Sequence, residues 1–309
     1  MLHLRLITPS GTTDDVVRLL ERTVGTAHLV VLPGAARDPA GDLVLCDVAR
    51  EAGDELIGEL RALGLREEGS IAVDNIDLSL SLRADRAEKD APGEGADAVL
   101  WEGLTEATHE ESTLSVTYVA FITLATMIAA CGVVLDNAIL IVGAMAVGPE
   151  FGPLVGISTS VVQRHPRLAL RSLIALLVGF AVAMLVTVGF TLFMDGVGLF
   201  HESDLEGTRP NTAFVYAPDA FSFIVAVLAG IAGTLSLTSA KSGALVGVAI
   251  SVTTVPAAAN AAVALAYGDT SQTIGSTNQL LLNLLGIVLA GVGTLLAQKF
   301  FWKRQRQAS

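Results

Sequence analysis

The chain has 309 residues, of which 52% are hydrophobic and only 16% are charged, and its formal net charge is −12. Residues 1–111 carry 10 Lys and Arg against 23 Asp and Glu, whereas residues 112–309 carry 9 against 8. This uneven charge predicts an aqueous first third and an apolar remainder. The acidic front and the lack of a basic stripe argue against nucleic-acid binding.

Residues 1–82 predict a soluble α+β domain. Residues 2–7 (LHLRLI) alternate apolar and polar side chains, as a half-buried strand does, and a helix, two strands, a helix and a strand follow. The order βαββαβ is that of the ferredoxin-like split motif, which is typical of small-ligand regulatory domains and of plain assembly domains alike. The opening residues are too polar for a signal peptide, so we expect this domain to be cytoplasmic.

Residues 83–111 predict a connection to the membrane part. The stretch RADRAEKDAPGEGAD reads as a polar linker. The following DAVLWEGLTEATHEES predicts a short amphipathic helix at the membrane surface.

Residues 112–300 predict six membrane-spanning helices, followed by a basic cytoplasmic tail at 301–309. The apolar stretches lie near 113–134, 138–161, 168–194, 220–239, 243–266 and 278–299. Each is long enough to cross about 30 Å of hydrocarbon at about 1.5 Å per residue.

Charges at the predicted span ends follow the positive-inside rule. The loops after spans one, three and five are acidic and contain one basic residue, Arg209. The basic residues follow spans two, four and six: Arg164, Arg167 and Arg171; Lys241; Lys299, Lys303, Arg304 and Arg306. Because Lys and Arg collect on the cytoplasmic side, we expect both termini to be cytoplasmic and the protein to lie in the inner (plasma) membrane.

Two predicted spans contain prolines near their middle and resemble each other. Span two holds Pro149 and Pro153, and span five holds Pro256. Aligning residues 142–147 (VGAMAV) with 246–251 (VGVAIS) brings Pro153 and Pro256 within one residue of each other. Each is the middle span of a three-span half, so we expect two inverted repeats with broken second helices. The same prolines and small residues are equally typical of kinked, closely packed helices without a site.

Polar residues lie near both predicted breaks. Glu150 is about midway between Asp136 and Arg164, near the bilayer centre, where a carboxylate usually faces a cavity or a partner. Lys241 suits an anionic group, although a capping turn with a positive-inside lysine explains it equally. The hydroxyl side chains near Pro256 have a structural explanation as well, because each can donate a hydrogen bond to a backbone carbonyl of its own helix. The predicted solute or ion pathway consists of Gly148, Pro149, Glu150, Gly152, Pro153, Ser236, Thr238, Ser239, Lys241, Ser242, Ser251, Thr253, Thr254, Pro256 and Asn260.

The stretches NAILIVGAMAVGPEFGPLVGIS and AGTLSLTSAKSGALVGVAISVTTVPAAANAA resemble the paired signatures of a bacterial and archaeal membrane family. It is the domain-of-unknown-function-389 family, also called the uncharacterised hydrophobic-domain family. The resemblance covers about residues 105–300 and implies a multi-span protein, often with a soluble N-terminal region. It implies neither an enzyme activity nor a particular substrate. Position 150 is commonly apolar in that pattern, so a role for Glu150 would belong to a subgroup.

These patterns favour a membrane transporter or channel over an enzyme. The sequence has no nucleophile–base pair, metal-ligand cluster or cofactor motif, so we expect no catalysis and no cofactor. We expect a small solute or ion to pass between the two halves near Pro149, Pro153 and Pro256, in a homo-oligomer that is most simply a dimer. The alternative is a non-transporting membrane sensor or scaffold whose ferredoxin-like domain binds a ligand or partner.

Overall fold

A computed structural model describes residues 1–308 except 77, 92–97, 208, 213–214, 216–219 and 239–253. Its first part is a small antiparallel sheet with helices, and the strand order is β2-β3-β1-β4. These elements follow the expected βαββαβ order, with one extra short helix before the last strand. They are β1 Leu2–Thr8, α1 Thr13–Arg22, β2 Thr26–Arg37, β3 Ala40–Val48, α2 Arg50–Ala62, α3 Leu65–Glu68 and β4 Ser70–Asn75.

The alternation in β1 produces the core of this first part. Leu2, Leu4 and Leu6 are all buried on one face of the sheet, where side chains two residues apart point the same way. Val16 of α1 and Leu56 of α2 pack in the same cluster. The hydrophobic pattern therefore fixes which face of the sheet the helices cover.

The segment expected to be a polar linker instead begins with a helix, α4, at Leu82–Asp90. The Ser81 hydroxyl accepts hydrogen bonds from the backbone N–H groups of Arg83 and Ala84, which is a side-chain cap. Ala84 and Ala87 are buried. The last strand of the sheet, β4, ends before this helix, at Asn75.

The second part of the chain consists of apolar helices. They are α5 Trp101–Glu111, α6 Val116–Val134, α7 Ala138–Val147, α8 Phe151–Gln163, α9 Pro166–Gly196, α10 Glu202–Glu206, α11 Ala220–Thr238, α12 Val255–Ala266 and α13 Thr270–Ala308. The described residues contain four helices long and apolar enough to cross a membrane: α6, α9, α11 and Thr270–Phe301 of α13. A fifth is obtained if α7 and α8, which meet at a bend of 56°, form one span.

These helices indicate a multi-pass membrane protein. Their outer faces carry exposed large apolar residues such as Leu124, Leu177 and Leu285, as lipid-facing surfaces do. The expected break near Pro149 is present as the 56° bend between α7 and α8, a geometry shared by broken spans and re-entrant loops. Of the expected span at 243–266, the structure describes only Thr254 and the 12 residues of α12, because its first residues lie outside the described part of the chain.

Small residues let the apolar helices approach closely. A Cβ added at Gly179 of α9 would lie 2.6 Å from Cε1 of Tyr118 on α6. A Cβ added at Gly286 of α13 would similarly lie 3.2 Å from Cε2 of Phe223 on α11. A side chain at Gly179 would therefore force Tyr118 or a helix to shift, whereas at Gly286 the Phe223 ring would have to give by only a few tenths of an ångström.

Long-range hydrogen bonds join three of the acidic loops. The carboxylate of Asp136 accepts hydrogen bonds from the Asn211 side chain at 2.9 Å and the Thr212 hydroxyl at 2.9 Å. The Tyr267 hydroxyl donates to Asp195 at 3.3 Å. Burial and the nearby Asp195 carboxylate raise the pKa of Tyr267 to about 12, so this hydroxyl stays protonated. These contacts place the loops after α6, α9 and α12 at one end of the bundle.

Candidate functional site where two helices begin

The first element of the site is the break between α7 and α8. Helix α7 ends at Val147, and Gly148, Pro149 and Glu150 separate it from Phe151, the first residue of α8. Pro149 has no N–H and so cannot continue the hydrogen-bond ladder of α7. Pro153 was expected at the break but lies in the first turn of α8. A missing N–H there costs no helical hydrogen bond, because the first N–H groups of a helix have no partner within it.

The second element is the start of α12, which like α8 carries a proline in its first turn. Thr254 is the residue before the helix, Val255 begins it and Pro256 occupies its second position. Proline is favoured here because its fixed backbone angle suits the first helical turn. Pro256 thus starts a helix, and the residues that precede Thr254 lie outside the described part of the chain.

The two helix starts meet through their capping residues. The Thr254 hydroxyl donates a hydrogen bond of 2.8 Å to Oε1 of Glu150, and both residues have 0% exposure. Glu150 precedes α8 and Thr254 precedes α12, so the N-terminal ends of both helices lie beside this contact. The partial positive charge of a helix N-terminus stabilises a carboxylate. The contact therefore combines a buried group that can bind a proton with two helix ends that favour negative charge.

Gly148 keeps the backbone of the break close to this contact. A Cβ at position 148 would overlap the Glu150 carboxylate and lie 3.0 Å from Cγ2 of Val255. The absence of a side chain at Gly148 therefore allows this close approach. Gly152 lies elsewhere: a Cβ there would overlap Glu111.

Asn260 belongs to a separate buried polar cluster. It is six residues beyond Thr254, or about 9 Å along α12. Its side-chain oxygen accepts a 2.9 Å hydrogen bond from Arg209, and its amide donates at 2.8 Å to Ser276. Arg209 also donates to Gln272 at 2.6 Å. Sequence reasoning missed this cluster, although Arg209 stands out as the single basic residue of an acidic loop.

The remaining predicted residues fall into two groups. Ser236 and Thr238 lie in the last turn of α11. The others lie outside the described residues, and their expected roles stay predictions: Ser239, Lys241, Ser242, Ser251 and Thr253.

Comparison with known proteins agrees with the sequence resemblance. Residues 145–289, which include Glu150 and Thr254, match the family described as "Domain of unknown function (DUF389)". The chain is similar to the uncharacterized protein MJ0678 of Methanocaldococcus jannaschii, with 26% identity over 205 residues. That alignment covers 66% of this chain and 61% of the relative, so it spans about three fifths of the relative's length. No solved structure matches the chain. Residues 145–289 are thus similar to the DUF389 domain, in agreement with the resemblance seen in the sequence.

Proposed function

We propose that this protein is a membrane transporter or channel for a small solute or ion, whose path crosses the contact between Glu150 and Thr254. The observation that carries the proposal is the meeting of two helix starts at a fully buried carboxylate and hydroxyl. Helices that begin within an apolar bundle are costly unless their free backbone groups find partners. In many transporters such half-helix ends hold the substrate and the coupling ion.

We further infer that the chain contains an inverted repeat of two three-helix halves, as transporters often do. The alignment of 142–147 with 246–251 is a shift of 104 residues, and it pairs Glu150 with Thr254. A residue on a two-fold axis meets its own counterpart, as Glu150 and Thr254 do. The contact is therefore where we place the pseudo-two-fold axis in the membrane plane.

Two further sets of contacts recur with nearly the same shift. Gly179 against Tyr118 corresponds to Gly286 against Phe223, at shifts of 107 and 105 residues. Gly156, whose added Cβ would lie 2.6 Å from the Ser172 hydroxyl, likewise corresponds at a shift of 104 to Asn260. Ser172 corresponds at the same shift to Ser276, which is the hydrogen-bond partner of Asn260.

The proposed topology has six spans with both termini in the cytoplasm. The meeting of the acidic loops through Asp136–Asn211 and Tyr267–Asp195 supports it, since these loops should share the outer side. Residues 239–253, which include the first residues of predicted span five, lie outside the described part of the chain, so the roles of Lys241, Ser251 and Thr253 stay predictions.

The Glu150 carboxyl gives the path its chemistry. Its negative charge is stabilised by the hydroxyl of Thr254 and by the two helix ends. When the path opens to water, gain or loss of a proton at Glu150 would change the charge that a passing ion or solute meets. We propose Glu150 as a coupling residue and Thr254 as the group that holds it in place.

A ligand screen followed by a flux assay tests this function. Purified protein is first screened by thermal shift against ions and small metabolites, because a ligand of the folded state raises the melting temperature. Flux of each hit is then measured in proteoliposomes for the parent, Thr254→Val and Thr187→Val. We expect the first substitution to reduce flux and the second to leave it unchanged. Equal flux in all three proteins would contradict the proposed path.

The second candidate, a non-transporting sensor or scaffold, is favoured by a different observation. Every residue of α12 from Val255 to Ala264 is buried, most at 0% exposure, so the described centre of the bundle is closed to solvent. A transporter shows such closure in its occluded state, whereas a scaffold shows it permanently. Suppose that the ligands found in the screen bind to an isolated fragment of residues 1–103 and that no flux is detected. The protein is then better described as a sensor.

A further inference from the structure

The groove at the start of α9 combines two arginines, the exposed Arg167 and the half-buried Arg171, with an apolar wall. Its volume is about 400 Å³, and its lining residues are Thr113, Leu114, Arg167, Leu170, Arg171 and Ile174. Leu114, Leu170 and Ile174 are 40%, 58% and 45% exposed, which is typical of surface that faces lipid. The groove therefore has a charged end and an apolar side.

The charges of this groove are not neutralised by carboxylates. Within the described part of the chain, neither Arg167 nor Arg171 forms an ion pair. Arg171 is instead held by a ring nitrogen and a hydroxyl: its guanidinium lies 2.7 Å from Nε2 of His109 and donates to the Thr113 hydroxyl at 2.6 Å. These bonds fix one guanidinium while leaving its charge available to an anion.

The order of the residues along α9 matches the shape of a phospholipid. Arg167 and Arg171 are one turn apart in the first two turns of the helix, about 6 Å along its axis. Leu170 and Ile174 continue the same strip toward the middle of the helix. A phosphate placed between the two arginines would thus leave acyl chains running along the apolar side chains, as in basic lipid pockets beside membrane helices.

We propose that this groove binds an anionic phospholipid, with its phosphate at Arg167 and Arg171 and its chains against Leu114, Leu170 and Ile174. The site rests on the membrane location of α9 and is independent of transport. The occupant is a lipid rather than free phosphate because half of the lining is apolar and exposed. A soluble anion would use the arginines but would leave that wall uncovered.

Native mass spectrometry of the full-length protein tests the proposal. The protein is released from nanodiscs of equal phosphatidylglycerol and phosphatidylcholine, and the lipids retained are counted for the parent and for the double variant Arg167→Gln, Arg171→Gln. The matched control is Arg164→Asn, which removes one exposed positive charge close in sequence to the two arginines. Asparagine is chosen because it tolerates the left-handed backbone conformation of position 164. We expect the double variant to bind phosphatidylglycerol about 25-fold more weakly, from about fivefold for each arginine, and the control to resemble the parent.

Several results would overturn the lipid site. One is equal loss in the double variant and the Arg164→Asn control, which would indicate a diffuse effect of charge. Another is full displacement of phosphatidylglycerol by millimolar inorganic phosphate, which would indicate a site for a free anion. If the double variant fails to fold, Arg167→Gln alone replaces it, and unchanged phosphatidylglycerol retention in that folded protein would refute the proposal.

Discussion

Removing the Thr254 hydroxyl should destabilise the protein by breaking its bond to Glu150. Thr254→Val keeps the shape of the side chain and deletes the donor of the 2.8 Å bond. Hydrogen bonds to charged groups contribute about 1.5–3 kcal/mol in proteins, whereas bonds between membrane helices average about 0.6 and reach about 1.7 kcal/mol. Because both partners are fully buried and the acceptor is a carboxyl group, we expect a loss of about 1.5 kcal/mol. This is about a tenfold change in the unfolding equilibrium.

Thr187 of α9 provides a matched control. It has 0% exposure, and its hydroxyl has no hydrogen-bond partner among the described residues. Thr187→Val therefore makes the same chemical change without breaking a bond, and we expect it to be neutral or slightly stabilising.

The assay is reversible unfolding in mixed micelles, followed by circular dichroism. A double-mutant cycle with Glu150→Gln isolates the pairwise energy, since residues in direct contact give non-additive effects. If Thr254→Val and Thr187→Val differ by less than about 0.5 kcal/mol, the bond does not stabilise the bundle and the reasoning is wrong.

Three further predictions concern the ends of the bundle and its assembly. A thiol introduced by Arg164→Cys should react with an impermeant reagent only from the cytoplasmic side, and labelling from outside would reject the topology. Burial acts to raise the pKa of Asp136, but hydrogen bonds from Thr212 and Asn211 together lower it below its usual 3.8. Their stabilisation is thus present above pH 3.8 and lost as pH falls through the lower folded value. Asp136→Asn should lower the melting temperature at pH 7, and the difference from the parent should shrink below pH 3.8; a constant difference would contradict this. Mass measurement in native nanodiscs should show a homodimer, and a monomer would reject this assembly.

Local sequence signals predicted most of the fold because the governing interactions are local. The alternation of Leu2, Leu4 and Leu6 was enough to predict β1 and its buried face. Pro149 likewise indicated the break between α7 and α8, since a residue without an N–H removes a hydrogen bond of the helix and clashes with the preceding turn. The helix at Leu82–Asp90 was missed because its residues are strongly polar, while its cap at Ser81 and two buried alanines decide the structure.

The candidate site was only partly predictable, because its contacts join distant positions. Glu150 and Thr254 were both singled out, but their hydrogen bond spans 104 residues and depends on how the two helix starts are packed. Asn260 was grouped with Thr254 from proximity in sequence, yet its partners are Arg209 and Ser276. A lone arginine in an acidic loop was the signal that could have indicated this second cluster.

Access of water to Thr254 tests the transport mechanism most directly. Thr254→Cys and, as the control, Thr187→Cys are made in protein without Cys46 and Cys131, and both are exposed to a charged methanethiosulfonate in right-side-out and everted vesicles. If the Glu150–Thr254 contact lies on a solute path, the thiol at position 254 reacts from at least one side while that at 187 stays unreactive. A thiol at 254 that is as unreactive as the control from both sides would show a permanently sealed centre and contradict transport.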